Sequence, residues 1–393
     1  MKIIIAPDSF KESLSAQQVA SAIARGFREV LPNAELLMLP VADGGEGTTE
    51  ALLAATSGIR VSAQVTGPLG QPVEAFWGLL GESSQAGMLA ASKDKVAVIE
   101  MAAASGLDWV PPKQRNPLIT TSRGTGELIL VALDQGVTRF IIGLGGSATN
   151  DAGVGMLQAL GVRFLDQAGH ELAAGGGALS QLCTIDLTHL DKRLAQAQFE
   201  VACDVDNPLT GASGASAVFG PQKGATPEQV SLLDANLAHF AALTQRVTGN
   251  AIEQVAGAGA AGGLGGAFLG YLNADLRSGI DIVLDAVGFD QHLQGAALVI
   301  AGEGRMDSQS IYGKTPIGVS QRVKAVVNVP VIALAGSLAK DVEVVYAHGV
   351  DAVFSVVQGV SSLEQALAEA EENVYRTALN VARVFVLSRE VFK

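Results

Sequence analysis

Cysteine is almost missing from the 393-residue chain: Cys183 and Cys203 are the only two. A disulfide scaffold is therefore excluded, and a reducing compartment, the cytoplasm, is the expected location. Positive charge is also scarce. Against 39 Asp and Glu stand 26 Lys and Arg, a formal charge of −13. That balance argues against displacing counterions from nucleic acid and against docking on anionic lipid. Aromatic residues make up only 5%, too few for the stacking platforms that hold single-stranded nucleic acid. The five histidines, His170, His189, His239, His292 and His348, form no i,i+4 pair and have no cysteine at metal spacing, which speaks against structural zinc. No G-x-S-x-G elbow is present. The apolar run at Met1–Ala6 is too short for a secretory signal and is cut by Asp8. Residues 254–274 carry no charge over the length of a membrane span, but glycine and alanine crowd them. They read as a buried glycine-rich loop and helix.

What the chain has in excess is glycine, 46 residues in clusters. Glycine costs backbone entropy, so clusters imply positive φ or backbone lying close against a ligand. A hydrophobic fraction of 48% with 17% charge excludes disorder, and the length predicts two or three domains. Lys2–Ala6 reads as a strand buried on both faces. Ser15 and Gln18 form a capping box ahead of a helix with Val19, Ile23, Phe27 and Val30 on one stripe. Glu35–Val41 is a second strand; Thr48 or Thr49 is expected to cap a helix through Ala55. Near the other end, Ala297–Ala301, Val329–Ala335 and Ala352–Val357 are strands, with a helix start at Thr315-Pro316. A capping box at Ser361 and Glu364 opens a C-terminal helix with Leu363, Leu367, Ala370 and Val374 inward. The alternation indicates a doubly wound parallel sheet, an α/β fold. The middle has its own strands at 61–65, 73–80, 96–101, 138–144 and 199–203. The expectation is one α/β domain formed by both chain ends, residues 1–60 plus 291–393, with residues 61–290 inserted as a second.

Open parallel sheets bind ligands beyond the carboxyl ends of their strands. Those ends carry Asp8-Ser9-Phe10-Lys11, Asp43-Gly44-Gly45-Glu46-Gly47, Gly302-Glu303-Gly304-Arg305-Met306-Asp307 and Gly313-Lys314-Thr315. Carboxylates, cations and glycine-rich helix starts together suit phosphoryl transfer. In the insert, Gly145-Gly146-Ser147-Ala148-Thr149 can form an anion-binding nest. Asp204 and Asp206, two apart at a strand end, point to one face and can hold a cation. Gly313-Lys314-Thr315 is no Walker A loop, because Ser308 stands where its first glycine belongs. Gly257–Gly262 matches G-x-G-x-x-G without a convincing strand before it, which leaves a nicotinamide-dependent hydroxy-acid dehydrogenase as an alternative. A non-catalytic sugar-acid sensor is a further one.

Taken together these motifs resemble the type I glycerate kinase family. The resemblance rests on Ala6-Pro7-Asp8-Ser9-Phe10-Lys11, Asp43–Thr48, Thr121–Ile129, Gly145–Gly153, Asp204–Leu209, Phe219–Ala225, Gly257–Gly265, Gly302–Ser310 and Gly313–Pro316, and so spans essentially the whole chain. It implies ATP-dependent phosphorylation of D-glycerate with Mg²⁺, in a site between a flavodoxin-like domain and the insert. The 2-phosphorylated product is favoured, with the 3-product as the alternative. On that footing Lys11 would neutralise the moving phosphoryl group, and Asp43 or Asp8 would orient or deprotonate the hydroxyl. Arg305 and Lys314, with Ser9 and Asp307, would bind glycerate. Gly145, Gly146, Ser147 and Thr149 would receive phosphate, and Asp204 and Asp206 would hold Mg²⁺. The partners expected are small molecules, with neither nucleic acid nor membrane; homo-oligomerisation is left open.

Overall fold

The computed structural model describes residues 1–81 and 94–391. Two sheets organise it. The first takes β1 (Lys2–Pro7) and β2 (Glu35–Met38) from one chain end. From the other end it takes β11 (Ala296–Met306), β12 (Val331–Leu338) and β13 (Ala352–Ser355). All its pairs are parallel, in the order β13-β12-β11-β1-β2. Within this sheet the order is thus 2-1-3-4-5, the flavodoxin-like winding, and its switch point lies between β1 and β11. Ile3, Ile4 and Ile5 are fully buried because helices cover both faces. Ile3 and Ile5 join Phe27, Val374 and Ala378 on one side, while Ile4 and Ala6 join Val299 and Val319 on the other.

The second sheet comes from the middle of the chain. Its strands are β3 (Ile59–Thr66), β4 (Pro72–Leu79), β5 (Lys95–Glu100), β6 (Val137–Gly143), β9 (Gln198–Ala202) and β10 (Asp275–Arg277). They lie in the order β10-β9-β6-β5-β4-β3, parallel from β5 to β10, with β4 antiparallel to both its neighbours. A hairpin of β7 (Arg163–Leu165) and β8 (Thr184–Asp186) stands apart. One apolar cluster unites the two sheets: Ile4, Val41 and Val299 share it with Val96, Val98 and Ile141, and the helix Gly279–Ala286 packs between them. An ionic chain follows the same seam. Arg139 and Arg277 hold Glu200, Arg277 holds Asp285, and Arg322 binds Asp285, Asp281 and Asp290.

Several local expectations shift. The capping box at Ser15 and Gln18 is present. The helix Thr48–Thr56, however, starts at a left-handed Gly47 with no side-chain cap of its own. Instead the Glu100 carboxylate, at the end of β5, accepts from Thr49 N at 2.7 Å and Gly47 N at 3.3 Å. At the C-terminus the cap falls on Ser362 rather than Ser361, and Leu363 faces solvent. The glycine-rich stretch forms the helix Ala260–Tyr271, interrupted at once by left-handed Ala261, Gly262 and Gly263. Among the described residues no helix is long and apolar enough to cross a membrane.

Candidate active site

The switch point gathers acid. Asp8 continues β1; its Oδ1 accepts from Ser9 N at 2.6 Å and its Oδ2 from Thr315 Oγ1 at 2.7 Å. Burial first, and the neighbouring Asp43 carboxylate second, push its pKa up to about 6. Glu303 stands opposite on β11, 7% exposed, and accepts from Ser310 Oγ at 2.9 Å. Burial pushes Glu303 up to about 7; Lys314, 3.8 Å away, holds it back, while Asp8 and Asp43 add repulsion. Asp204, just beyond β9, brings a carboxylate from the second sheet and accepts from Gly279 N at 3.1 Å. Burial first, then repulsion from Asp43, push it up to about 6, while the Gly279 N–H pulls it down. Asp204 itself is exposed at the edge of the cleft.

Glycine lets the two sheets meet here. A Cβ on Gly143, at the end of β6, would stand 2.7 Å from the Gly44 carbonyl. One on Gly279 would overlap the Asp43 carbonyl. A cleft of about 460 Å³ remains, lined among others by Lys11, Asp43, Gly145, Gly146, Ser147 and Asp204. Gly145 and Gly146 are exposed in it, Gly146 with φ +73°, so their backbone faces the opening.

The remaining expected residues are placed unevenly around this cleft. Arg305 is exposed and pairs with Asp307 at 3.4 Å. Lys314 lies between Glu303 and Asp307, the latter at 4.0 Å. Arg305, Asp307 and Lys314 form the rim at the carboxyl end of β11. Ser9 opens instead onto a neighbouring cleft with Glu46, Glu50 and Glu100. Asp206 is exposed in another, with Tyr312 and Gly313, that shares Asp204 with the main one. Thr149 is fully buried under its turn. The helix start at Thr48 is no free anion site, since Glu100 already fills it. Gly257–Gly262 follows no strand and runs into left-handed backbone, so the dinucleotide fingerprint lacks its strand-turn-helix frame.

The family model of the glycerate kinase family matches residues 3–386. The chain belongs to the glycerate kinase family. It is accordingly an enzyme of the kinase class, which leaves the sensor reading without support. A glycerate kinase of Bacillus subtilis (strain 168) is 57% identical over 392 residues, covering 100% of both chains. A glycerate 2-kinase of Escherichia coli (strain K12) is 52% identical over 387 residues, 98% of each. Among solved structures, a Salmonella typhimurium LT2 protein named as glycerate kinase 2 matches with a TM-score of 0.89 at 55% identity, 99% of each chain.

Two groups at this kinase site had little or no signal in the sequence. Glu303 sits in the Gly302-Glu303-Gly304 run, but β11 was expected to stop at Ala301. A strand running on to Met306 carries the glutamate into the switch point. Lys223 lies in the Phe219–Ala225 motif, but nothing local announces that it is buried.

Proposed function

We propose that the protein transfers the γ-phosphoryl group of ATP to the 2-hydroxyl of D-glycerate, giving 2-phosphoglycerate and ADP. The observation that carries this reading is the meeting of Asp8, Asp43 and Glu303 at a flavodoxin-type switch point with Lys11, Asp204 and the open Gly145–Ser147 turn. Regiochemistry leans on the Escherichia coli relative named glycerate 2-kinase. Residues 1–60 plus 291–393 and residues 61–290 would act as the two walls, in the cytoplasm, where both free cysteines stay reduced.

The roles follow from charge and position. The hydroxyl oxygen forms a bond to the γ-phosphorus as the bond to the ADP oxygen breaks. Its proton passes to Asp43, with Asp8 behind it. Asp8, raised to about 6, is mostly ionised at neutral pH yet still basic enough to share that proton. Lys11 offsets charge on the equatorial oxygens. Arg305 and Lys314 receive the glycerate carboxylate at the rim, and the Gly145–Ser147 backbone receives phosphate. The acid cluster fits a divalent cation, because its members repel one another and Lys314 is the cation acting on Glu303. Among the described residues no three His, Cys, Asp or Glu side chains close on one point. Magnesium takes one or two carboxylates and completes its shell with water and phosphate oxygens. Asp204 would hold it in the cleft, with Asp206 adjoining. Bound there, Mg²⁺ would neutralise the phosphates during transfer.

The test is a coupled ADP-release assay over short hydroxy acids, with phosphorus NMR of the product. ADP release with D-glycerate and a 2-phosphorylated product is expected. A 3-phosphorylated product would replace the regiochemistry, and no release with D-glycerate would overturn the reading.

A further inference from the structure

A second cation lies beneath the phosphate-receiving turn, and none of the roles above uses it. Lys223 ends the short turn Pro221–Lys223, is 1% exposed, and still reaches the wall of the main cleft. Its ammonium donates to Ser147 Oγ at 2.8 Å and to the Thr149 carbonyl at 2.7 Å. An ammonium has three N–H donors, so these acceptors occupy two. The charged group that acts on it is Asp151. Asp151 is already committed, however. Its carboxylate accepts from Ser122 N and Oγ at 2.8 and 2.9 Å, and from Gly153 N and Gly155 N at 3.1 and 3.2 Å. Among the described residues no carboxylate forms an ion pair with Lys223. Burying an ammonium without a paired anion is costly. Burial accordingly drops the Lys223 pKa to about 7, against a small opposing pull from Asp151. An apolar side chain would avoid that charge-burial cost but would leave Ser147 Oγ and the Thr149 carbonyl without this donor. What the lysine adds is positive charge on the wall of the cleft that Gly145 and Gly146 also line.

We propose that Lys223 is a positioning residue for the phosphoryl donor. Its ammonium ties Ser147 Oγ to the Thr149 carbonyl, holding the Gly145–Thr149 turn ready for phosphate, and the bound phosphate supplies the missing counter-charge. The inference deepens the proposed function and rests on its placing of ATP phosphate at this turn. Burial then weakens the lysine's hold on its proton in the free protein, and nucleotide binding strengthens it.

Two measurements decide it. The first is lysine-labelled NMR of the full-length wild-type protein, with and without Mg·ADP. One lysine signal should titrate near neutral pH in the free protein and move up by at least about one pH unit on Mg·ADP binding. A spectrum with no such lysine, or one that Mg·ADP leaves in place, overturns the proposal. This measurement needs neither a variant nor turnover, so it stands even if D-glycerate proves not to be the substrate. The second is kinetic. K223M should raise KM for ATP at least about tenfold and move KM for D-glycerate less than about threefold. The neutral-pH limb of kcat/KM for ATP should vanish with it. Equal damage to both substrates, or a KM rise confined to D-glycerate, overturns the proposal. Should K223M fail to fold, the wild-type NMR still decides.

Discussion

At the scale of single residues the site is held in electrostatic tension. Asp8, Asp204 and Glu303 all have folded-state pKa values raised to about 6 or 7. A carboxyl group raised on folding favours the folded state most where it is protonated in both states. That contribution is fully present below the unfolded value, roughly pH 4. It is lost as pH climbs through about 6 to 7. The melting temperature of the free protein should therefore carry a falling component between those limits, and Glu303→Gln should make it shallower. Mg²⁺ should raise the melting temperature at pH 8 and hardly at pH 5, where all three groups are largely protonated. Differential scanning fluorimetry across pH checks both; a Mg²⁺ effect equal at the two pH values would exclude Asp204 as its seat. Lys11 gives the complementary expectation. It is exposed, so Lys11→Ala should leave melting unchanged while cutting kcat/KM at least about tenfold, roughly 1.4 kcal/mol of barrier. Activity within about twofold of wild type, roughly 0.4 kcal/mol, would remove Lys11 from the chemistry.

At the scale of elements, the helix Thr48–Thr56 shows where local reading stops. Its glycine-rich entry was legible, as were the strands that precede and follow it. Its cap was not, because the carboxylate that satisfies Gly47 N and Thr49 N comes from Glu100, on a strand of the other sheet. Burial raises the Glu100 pKa although both backbone donors pull it down. Glu100→Ala should cost about 1–2 kcal/mol, the worth of a strong helix cap. Chemical denaturation at neutral pH measures it, and a loss under about 0.3 kcal/mol would mean water replaces the carboxylate at no cost. The same limit explains the other gains and losses. Capping boxes and buried strands are written within a few residues, so those at Ser15 and Ile3–Ile5 could be found. Lys223 could not, since its burial depends on Ser147 and Thr149, seventy-odd residues away. The exposure of Leu363 was missed because the inward stripe begins one turn later, at Leu367 and Ala370.

At the scale of the whole molecule, the two sheets share one apolar cluster and one ionic seam. Trp77 and Trp109, the only tryptophans, both lie in the residue range of the second sheet. Their fluorescence should nonetheless lose structure at the same denaturant concentration as the far-ultraviolet signal of the whole chain. Two separated transitions would show that the shared cluster fails to couple the sheets. The glycines that allow close approach belong to this scale too, since Gly143 and Gly279 each face backbone from the Asp43-Gly44 loop.

The position of β1 has a consequence for how the protein comes into being. Ile4 pairs with Leu37 on one side but with Val299 on the other. A ribosome adding about 5–20 residues per second needs roughly 15–60 s to deliver that second partner. For that interval the three consecutive isoleucines of the nascent chain have one edge uncovered. The growing polypeptide must keep its first strand out of trouble until nearly the last quarter of the message has been read.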